Sequence, residues 1–363
     1  MAAKTMPVDH EARCRGRYEL PGLTIQVENT ITLIPEQDRH CPVGFLFNLR
    51  DGRLIAGNVP LEDGAMTWRA SPDAGQTWEP APAWPSWHVY QFSDGELIGL
   101  EGSEEPWLGK TDRSGVYLGR GFRSTDGGQT FAAEAVEISG VPQLAEGENE
   151  RWGFHVDSYV DHNIVALSDG SLLAGAHGRF VGHRKYSTYI VRSTDRGRSW
   201  HYRATVASDL TPGDHVRIEG FDEPGLLTLP NGEVLCFMRS GGRYDARYSP
   251  LYLSRSADNG RTWSVADPIA DRGVWPNACR LDNGVLAVIY GRPGDWLAFS
   301  LDDGHSWIGH FCLHLGPQPW DCGSYDWVEA VASDTLLAAY GRTDPNNPRM
   351  SEVSGTFITV TRT

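Results

Sequence analysis

Short apolar runs come in pairs along the chain, each pair broken by a polar turn: FLFNLRDGRLIAG, VYQFSDGELIGL, IVALSDGSLLAG, LLTLPNGEVLCFM, ACRLDNGVLAVIY and AVASDTLLAAY. Runs of roughly four to eight apolar and β-branched residues have strand length. Asp-Gly or Asn-Gly separates the runs in five of the six pairs and predicts a two-residue hairpin turn. The pattern implies an all-β protein of short antiparallel strands, and 41 glycines with 22 prolines supply its turns.

A second repeat follows five of the hairpins: SPDAGQTW (Ser71 to Trp78), STDGGQTF (Ser124 to Phe131), STDRGRSW (Ser193 to Trp200), SADNGRTW (Ser256 to Trp263) and SLDDGHSW (Ser300 to Trp307). In Ser-x-Asp-x-Gly-x-Ser/Thr-aromatic, the carboxylate can accept backbone N–H groups within a turn. The glycine can take positive φ, and the aromatic can pack on the sheet below. The octapeptide is identified as the Asp-box, and from about residue 30 to the C-terminus the chain resembles the sialidase superfamily. The resemblance implies a six-bladed β-propeller of four-stranded antiparallel blades. It makes Asp73, Asp126, Asp195, Asp258 and Asp302 structural residues of outer turns. The sixth hairpin has no box, so its outer strand is expected from GTFITVTR or from LTIQVENTITLI. No Gly/Ser-rich or charged linker interrupts the pattern. Residues 1–363 therefore read as one domain, with 1–29 an N-terminal extension able to supply a closing strand.

Composition narrows the partners. A formal charge of −15 argues against nucleic acid, whose binding needs a basic patch. No window approaches the roughly 18 to 20 apolar residues of a membrane span. The start, MAAKTMPVDHEAR, lacks the apolar stretch of a signal peptide, so the chain as it stands reads as cytoplasmic; a secreted mature form stays open. The six cysteines have no metal-ligand spacing, and buried free thiols are expected in preference to a bridge between Cys312 and Cys322. No metal or cofactor is implied, and the oligomeric state is open. Only three of the 32 basic residues are lysines, so most cations are guanidiniums, suited to gripping carboxylates in pairs of hydrogen bonds.

In a propeller, the inner-strand ends opposite the hairpin turns ring one mouth. Counting from the turns places Asp161, Glu223, Trp275 and Asp326 at strand heads and His177, Arg239, Arg292 and Arg342 at strand tails. The resemblance gives four of these neighbourhoods a role. Glu223 in FDEPGLL, Arg239 in CFMRSGG, Arg292 in YGRPG and Tyr325 in GSYDW follow the family's order of base, two substrate arginines and nucleophile. A tyrosine with an ordinary pKa near 10 needs a carboxylate to draw off its proton. It suits an anionic sugar, which would repel a carboxylate nucleophile. The family's first arginine is replaced by DRHCPVG, where His40 or Pro42 takes its place and Arg39 is one residue out of register. The acid-base is expected at Asp63, with Glu62 in reserve. His155, His162 and His177 lie toward the same mouth as donors or bases, and Trp87, Trp107, Trp275, Trp320 and Trp327 offer faces for sugars.

These residues together imply an exo-acting, sialidase-like glycoside hydrolase on an acidic or deoxy sugar glycan. Two alternatives stay open: a polysaccharide lyase acting on uronates, and a non-catalytic glycan-binding propeller.

Overall fold

The computed structural model describes residues 9–12, 15–38, 43–59, 67–101, 109–149, 153–156, 158–208, 220–240, 250–315, 325–344 and 346–363. All regular structure among them is β. The chain packs as two compact units, Met1–Ala83 with Ser249–Leu251 and Ile269–Thr363, and Trp84–Tyr248 with Tyr252–Pro268.

The first unit holds three antiparallel meanders. Val43–Asn48, Leu54–Val59, Thr67–Ser71 and Glu79–Pro80 form one; Val274–Arg280, Leu286–Gly291, Asp295–Ser300 and Ile308–His314 form another, with Asp9–Ala12 added in parallel at its edge. The third runs Trp327–Ala330, Thr335–Asp344, Asn347–Arg362, Leu23–Asp38 and Gly16–Leu20. Both segments expected at this position therefore join the sheet side by side, the C-terminal one as third strand and the N-terminal one as fourth. Leu23, Ile25, Ile289, Leu297, Phe299, Leu336 and Ile358 are fully buried in this unit's core.

In the second unit, His88–Gln91, Leu97–Leu100, Val116–Ser124 and Ala132–Ser139 form a meander. Its last strand pairs in parallel with the last strand of the next: Ser158–Ala166, Leu172–Gly178, Ser187–Ser193 and Ser199–Ala207. Asp222–Thr228, Val234–Arg239 and Leu251–Ser256 begin a further meander, with Asp267–Ala270 at its edge. Leu172–Gly178 is buried at every residue. That two-sided burial explains why second strands read as unbroken apolar runs rather than as alternations.

The hairpin turns differ from the two-residue form expected. Leu49 N–H donates to Arg53 O and Gly52 N–H to Leu49 O, at 2.8 and 2.9 Å, so three residues stand between the closing pair. The same two bonds recur at Phe92–Glu96, Leu167–Ser171, Leu229–Glu233 and Leu281–Val285. Only the glycine has positive φ (Gly52 +90°, Gly232 +88°), whereas the two-residue type I′ turn needs it at both central positions. These are type I turns closed by a glycine bulge. The Asx residue holds them: Asp51, Asp94, Asp169, Asn231 and Asn283 each accept the N–H two residues on, at 3.0 to 3.2 Å.

The Asp-boxes carry the paired left-handed residues instead. Ala74 and Gly75 have φ of +55° and +94°, and each other box repeats this at its x-Gly pair. Asp73 accepts Thr77 N–H at 2.8 Å and the Thr77 hydroxyl at 2.6 Å, and Ser71 Oγ takes Gly75 N–H at 2.7 Å. In four boxes the aromatic is tryptophan; in the second it is Phe131, which has no N–H. There Trp84, from a preceding loop, donates to Gly128 O at 3.1 Å and packs edge-on against Phe131.

Polar side chains join neighbouring meanders within each unit. Asn163 takes Leu226 N–H at 3.1 Å and gives to Leu226 O at 2.7 Å, while Asn277 accepts Val328 N–H at 2.9 Å. Cys312 carries a buried free thiol, as do Cys236 and Cys279, and Cys322 lies outside the described residues.

Candidate functional site

Three first strands break their ladders at the head. Pairing jumps from Asp161 to Ile164, from Asp222 to Gly225 and from Val274 to Asn277. His162, Glu223 and Trp275 occupy the breaks in left-handed conformation, with φ of +53°, +45° and +49°. Side chains other than glycine hold such a conformation at a cost of about 1–3 kcal/mol, and it concentrates at functional sites.

In the second unit these heads assemble a buried charged cluster. Arg239 Nη1 donates to Glu223 Oε1 at 2.5 Å, and its Nε lies 4.0 Å from Asp222 Oδ1. His177 Nδ1 donates to Asp161 Oδ2 at 2.5 Å, with the Glu223 amide nitrogen 3.4 Å from the same atom. The His177 ring stacks on Tyr159 and meets the edge of Tyr186. Burial works against a charged His177, but the Asp161 carboxylate, with Asp222 and Glu223 behind it, outweighs that and raises it to about 9. Burial raises Asp161 as well, against the pull of the imidazolium. His162 has no solvent exposure, and its carbonyl accepts the Nδ1–H of His88 at 2.7 Å.

The first unit assembles the other candidates. The Trp275 and Tyr325 rings lie 5.1 Å apart at 55°, and the Arg292 guanidinium carbon sits 5.2 Å from the Tyr325 ring centroid. That is within reach of a cation–π interaction. Arg292 Nε is buried without a hydrogen-bond partner, and no carboxylate pairs with Arg292 among the described residues. Arg342 is exposed, 3.6 Å from Glu352, and lines a cavity of about 390 Å³ with Arg15, Glu28, His314 and Tyr340.

The structure thus brings Glu223, Arg239 and His177 together, and separately Tyr325, Arg292 and Trp275. His40, Asp63 and its reserve Glu62, together with Trp107 and Trp320, lie outside the described residues, and nothing of the side chain of His155 is described. Trp87 and Trp327 are buried. No group of three metal-ligating side chains occurs among the described residues. Sequence reasoning placed Asp161 at a strand head without its partner. The partnership follows from register, since Asp161 faces Gly175, two residues from His177 on the same face.

The profile of the BNR repeat-like domain matches residues 93–337, two thirds of the chain. The chain belongs to the BNR repeat-like domain family. No curated protein gives a match. Among solved structures, this BNR repeat-like chain is similar to a Dyadobacter fermentans protein of unknown function: TM-score 0.66, 20% identity, 94% of this chain and 100% of the other. It is also similar to a Penicillium chrysogenum α-L-arabinanase complexed with arabinobiose, with TM-score 0.62, 15% identity, 92% and 98% coverage. A third is the K499G mutant of the NanB sialidase from Streptococcus pneumoniae, with TM-score 0.61, 12% identity, 90% and 70% coverage. At these identities the likeness speaks for the fold, and the fold is a β-propeller of the sialidase and arabinanase type.

Proposed function

We propose that this BNR repeat-like protein is a sialidase-like, exo-acting glycoside hydrolase on an acidic or deoxy sugar glycan. The observation that carries the reading is Arg292. It is a guanidinium without a carboxylate partner among the described residues, lying over the ring of Tyr325, which in turn meets the ring of Trp275. Such a cation can receive the carboxylate of an acidic sugar by charge-assisted hydrogen bonds. In this mechanism Tyr325 Oη attacks the anomeric carbon as the bond to the leaving oxygen breaks. Asp63 gives that oxygen a proton, and water then displaces the glycosyl group from Tyr325. Glu223 is the base for the Tyr325 proton, a role that rests on the family resemblance.

Tyr325→Phe tests the reading: turnover of 4-methylumbelliferyl glycosides should fall by at least about a thousandfold, with thermal unfolding unchanged. A loss in Glu223→Gln/Tyr325→Phe no greater than in Tyr325→Phe alone supports their action as one unit. A lyase is the second reading, since the same cation and phenol could neutralise a uronate and take up its α-proton. It would leave an unsaturated product absorbing in the ultraviolet. Binding without product would instead indicate a glycan receptor.

A further inference from the structure

We infer that Arg272 and Trp296 are positioning residues that set the place of Arg292 by clamping the carbonyl of the residue after it. The inference rests on the proposed substrate-binding role of Arg292. Pro293 O accepts two hydrogen bonds, from Trp296 Nε1 at 2.8 Å and from Arg272 Nη1 at 3.1 Å. The two donors are themselves fixed to each other, because the Arg272 guanidinium carbon lies 4.2 Å from the Trp296 ring centroid. The opposite edge of the same guanidinium is held by both oxygens of Asp271, at 2.9 and 3.0 Å. Arg272 and Trp296 are 8% and 2% exposed, so the clamp works with little competition from water.

The chain just beyond is equally confined. Gly294 has φ of +76°, and a Cβ there would come within 3.0 Å of both His314 O and Trp296 Nε1. Arg292, by contrast, has no hydrogen bond or ion pair of its own among the described residues; its guanidinium carbon lies over the Tyr325 ring, 5.2 Å from the centroid. A guanidinium left open to receive a substrate carboxylate cannot be anchored through its own polar atoms. Its position has to come from the backbone, and the backbone is fixed one residue away. An arginine buried beside a tryptophan would otherwise serve only as core packing. The convergence of both donors on this one carbonyl is what assigns it to the site.

The test uses full-length protein. Trp296→Phe keeps an aromatic six-membered ring and removes the pyrrole half of the indole with its N–H; Arg272→Lys keeps the charge and a single donor nitrogen; Arg272→Met removes both charge and donors. Crystal structures should show Arg292 displaced from the Tyr325 ring in Trp296→Phe and Arg272→Met, with Arg272→Lys closer to the native place. On the 4-methylumbelliferyl glycoside that the native protein turns over fastest, KM should rise about three- to tenfold with kcat within about twofold. Arg292→Ala is the reference. If it raises KM and the clamp variants do not, the positioning role is wrong while the substrate role stands. If Arg292→Ala leaves KM unchanged, the substrate role falls. The clamp is then judged by the crystal structures, and Arg292 still 5.2 Å from the ring in both Trp296→Phe and Arg272→Met overturns it.

Discussion

His88 and His177 are both buried histidines of one unit, and they shift in opposite directions because burial wins at the first and the neighbouring carboxylates win at the second. Burial lowers His88 to about 4, its bond to the His162 carbonyl only partly opposing, so the ring is neutral in the folded protein. A depressed histidine contributes stability that is full above the unfolded value near 6.5 and is lost as pH falls through about 4. For His177 the sign reverses: its contribution is full below about 6.5 and is lost as pH rises through about 9. The melting temperature should therefore fall on both sides of neutrality. His88→Gln should flatten the acid limb and His177→Gln the alkaline limb in scans from pH 4 to 10. Asp161→Asn should bring the His177 imidazole titration down toward its ordinary range, as read by NMR of the ring protons. A charged His177 is also a poor base at neutral pH, which counts against its use for proton abstraction in the lyase reading.

At the scale of elements, turns were more legible than the way they close. Asp-Gly and Asn-Gly signal a hairpin, but both candidate turns need a left-handed glycine. Strand register decides between them, and here it adds the third residue. The Asp-box was legible nearly atom by atom, because its acceptor and donors lie within five residues of each other. Its failure to specify Trp84 is equally physical: Phe131 lacks the indole N–H, and the substitute comes from a loop 44 residues earlier than the carbonyl it serves. Asn163 acts as a side-chain peptide group between two strands. Asn163→Ala leaves a backbone donor and acceptor of Leu226 unpaired and should cost about 2–3 kcal/mol in urea unfolding. Asn163→Asp, which keeps the acceptor and loses the donor, should recover part of that.

For the whole molecule, the decisive pairing is Leu23–Asp38 against Asn347–Arg362, running from Met350 opposite Asp38 to Arg362 opposite Leu23. It joins residues more than 300 positions apart and buries Leu23, Ile25, Leu33 and Ile34 completely. Deleting residues 1–38 strips the partner from a 16-residue strand and exposes its edge. Such a chain should go to the insoluble fraction, or be cut within Asn347–Arg362 under limited proteolysis that spares the native protein. Either terminal segment qualified as a closing strand on composition; only the assembled sheet has places for both.

What the sequence determined by itself is what short-range chemistry records: five Asp-boxes, six hairpins, an all-β chain and a set of strand ends where polar residues gather. Each depends on groups a few residues apart, whose geometry contiguous sequence constrains. The tertiary structure decided the partnerships. Glu223 is held by Arg239, His177 by Asp161, and Arg292 is left open over Tyr325 while Arg272 and Trp296 hold its backbone. These depend on register, on the ladder breaks at the strand heads, and on burial that strengthens each charge against its neighbour.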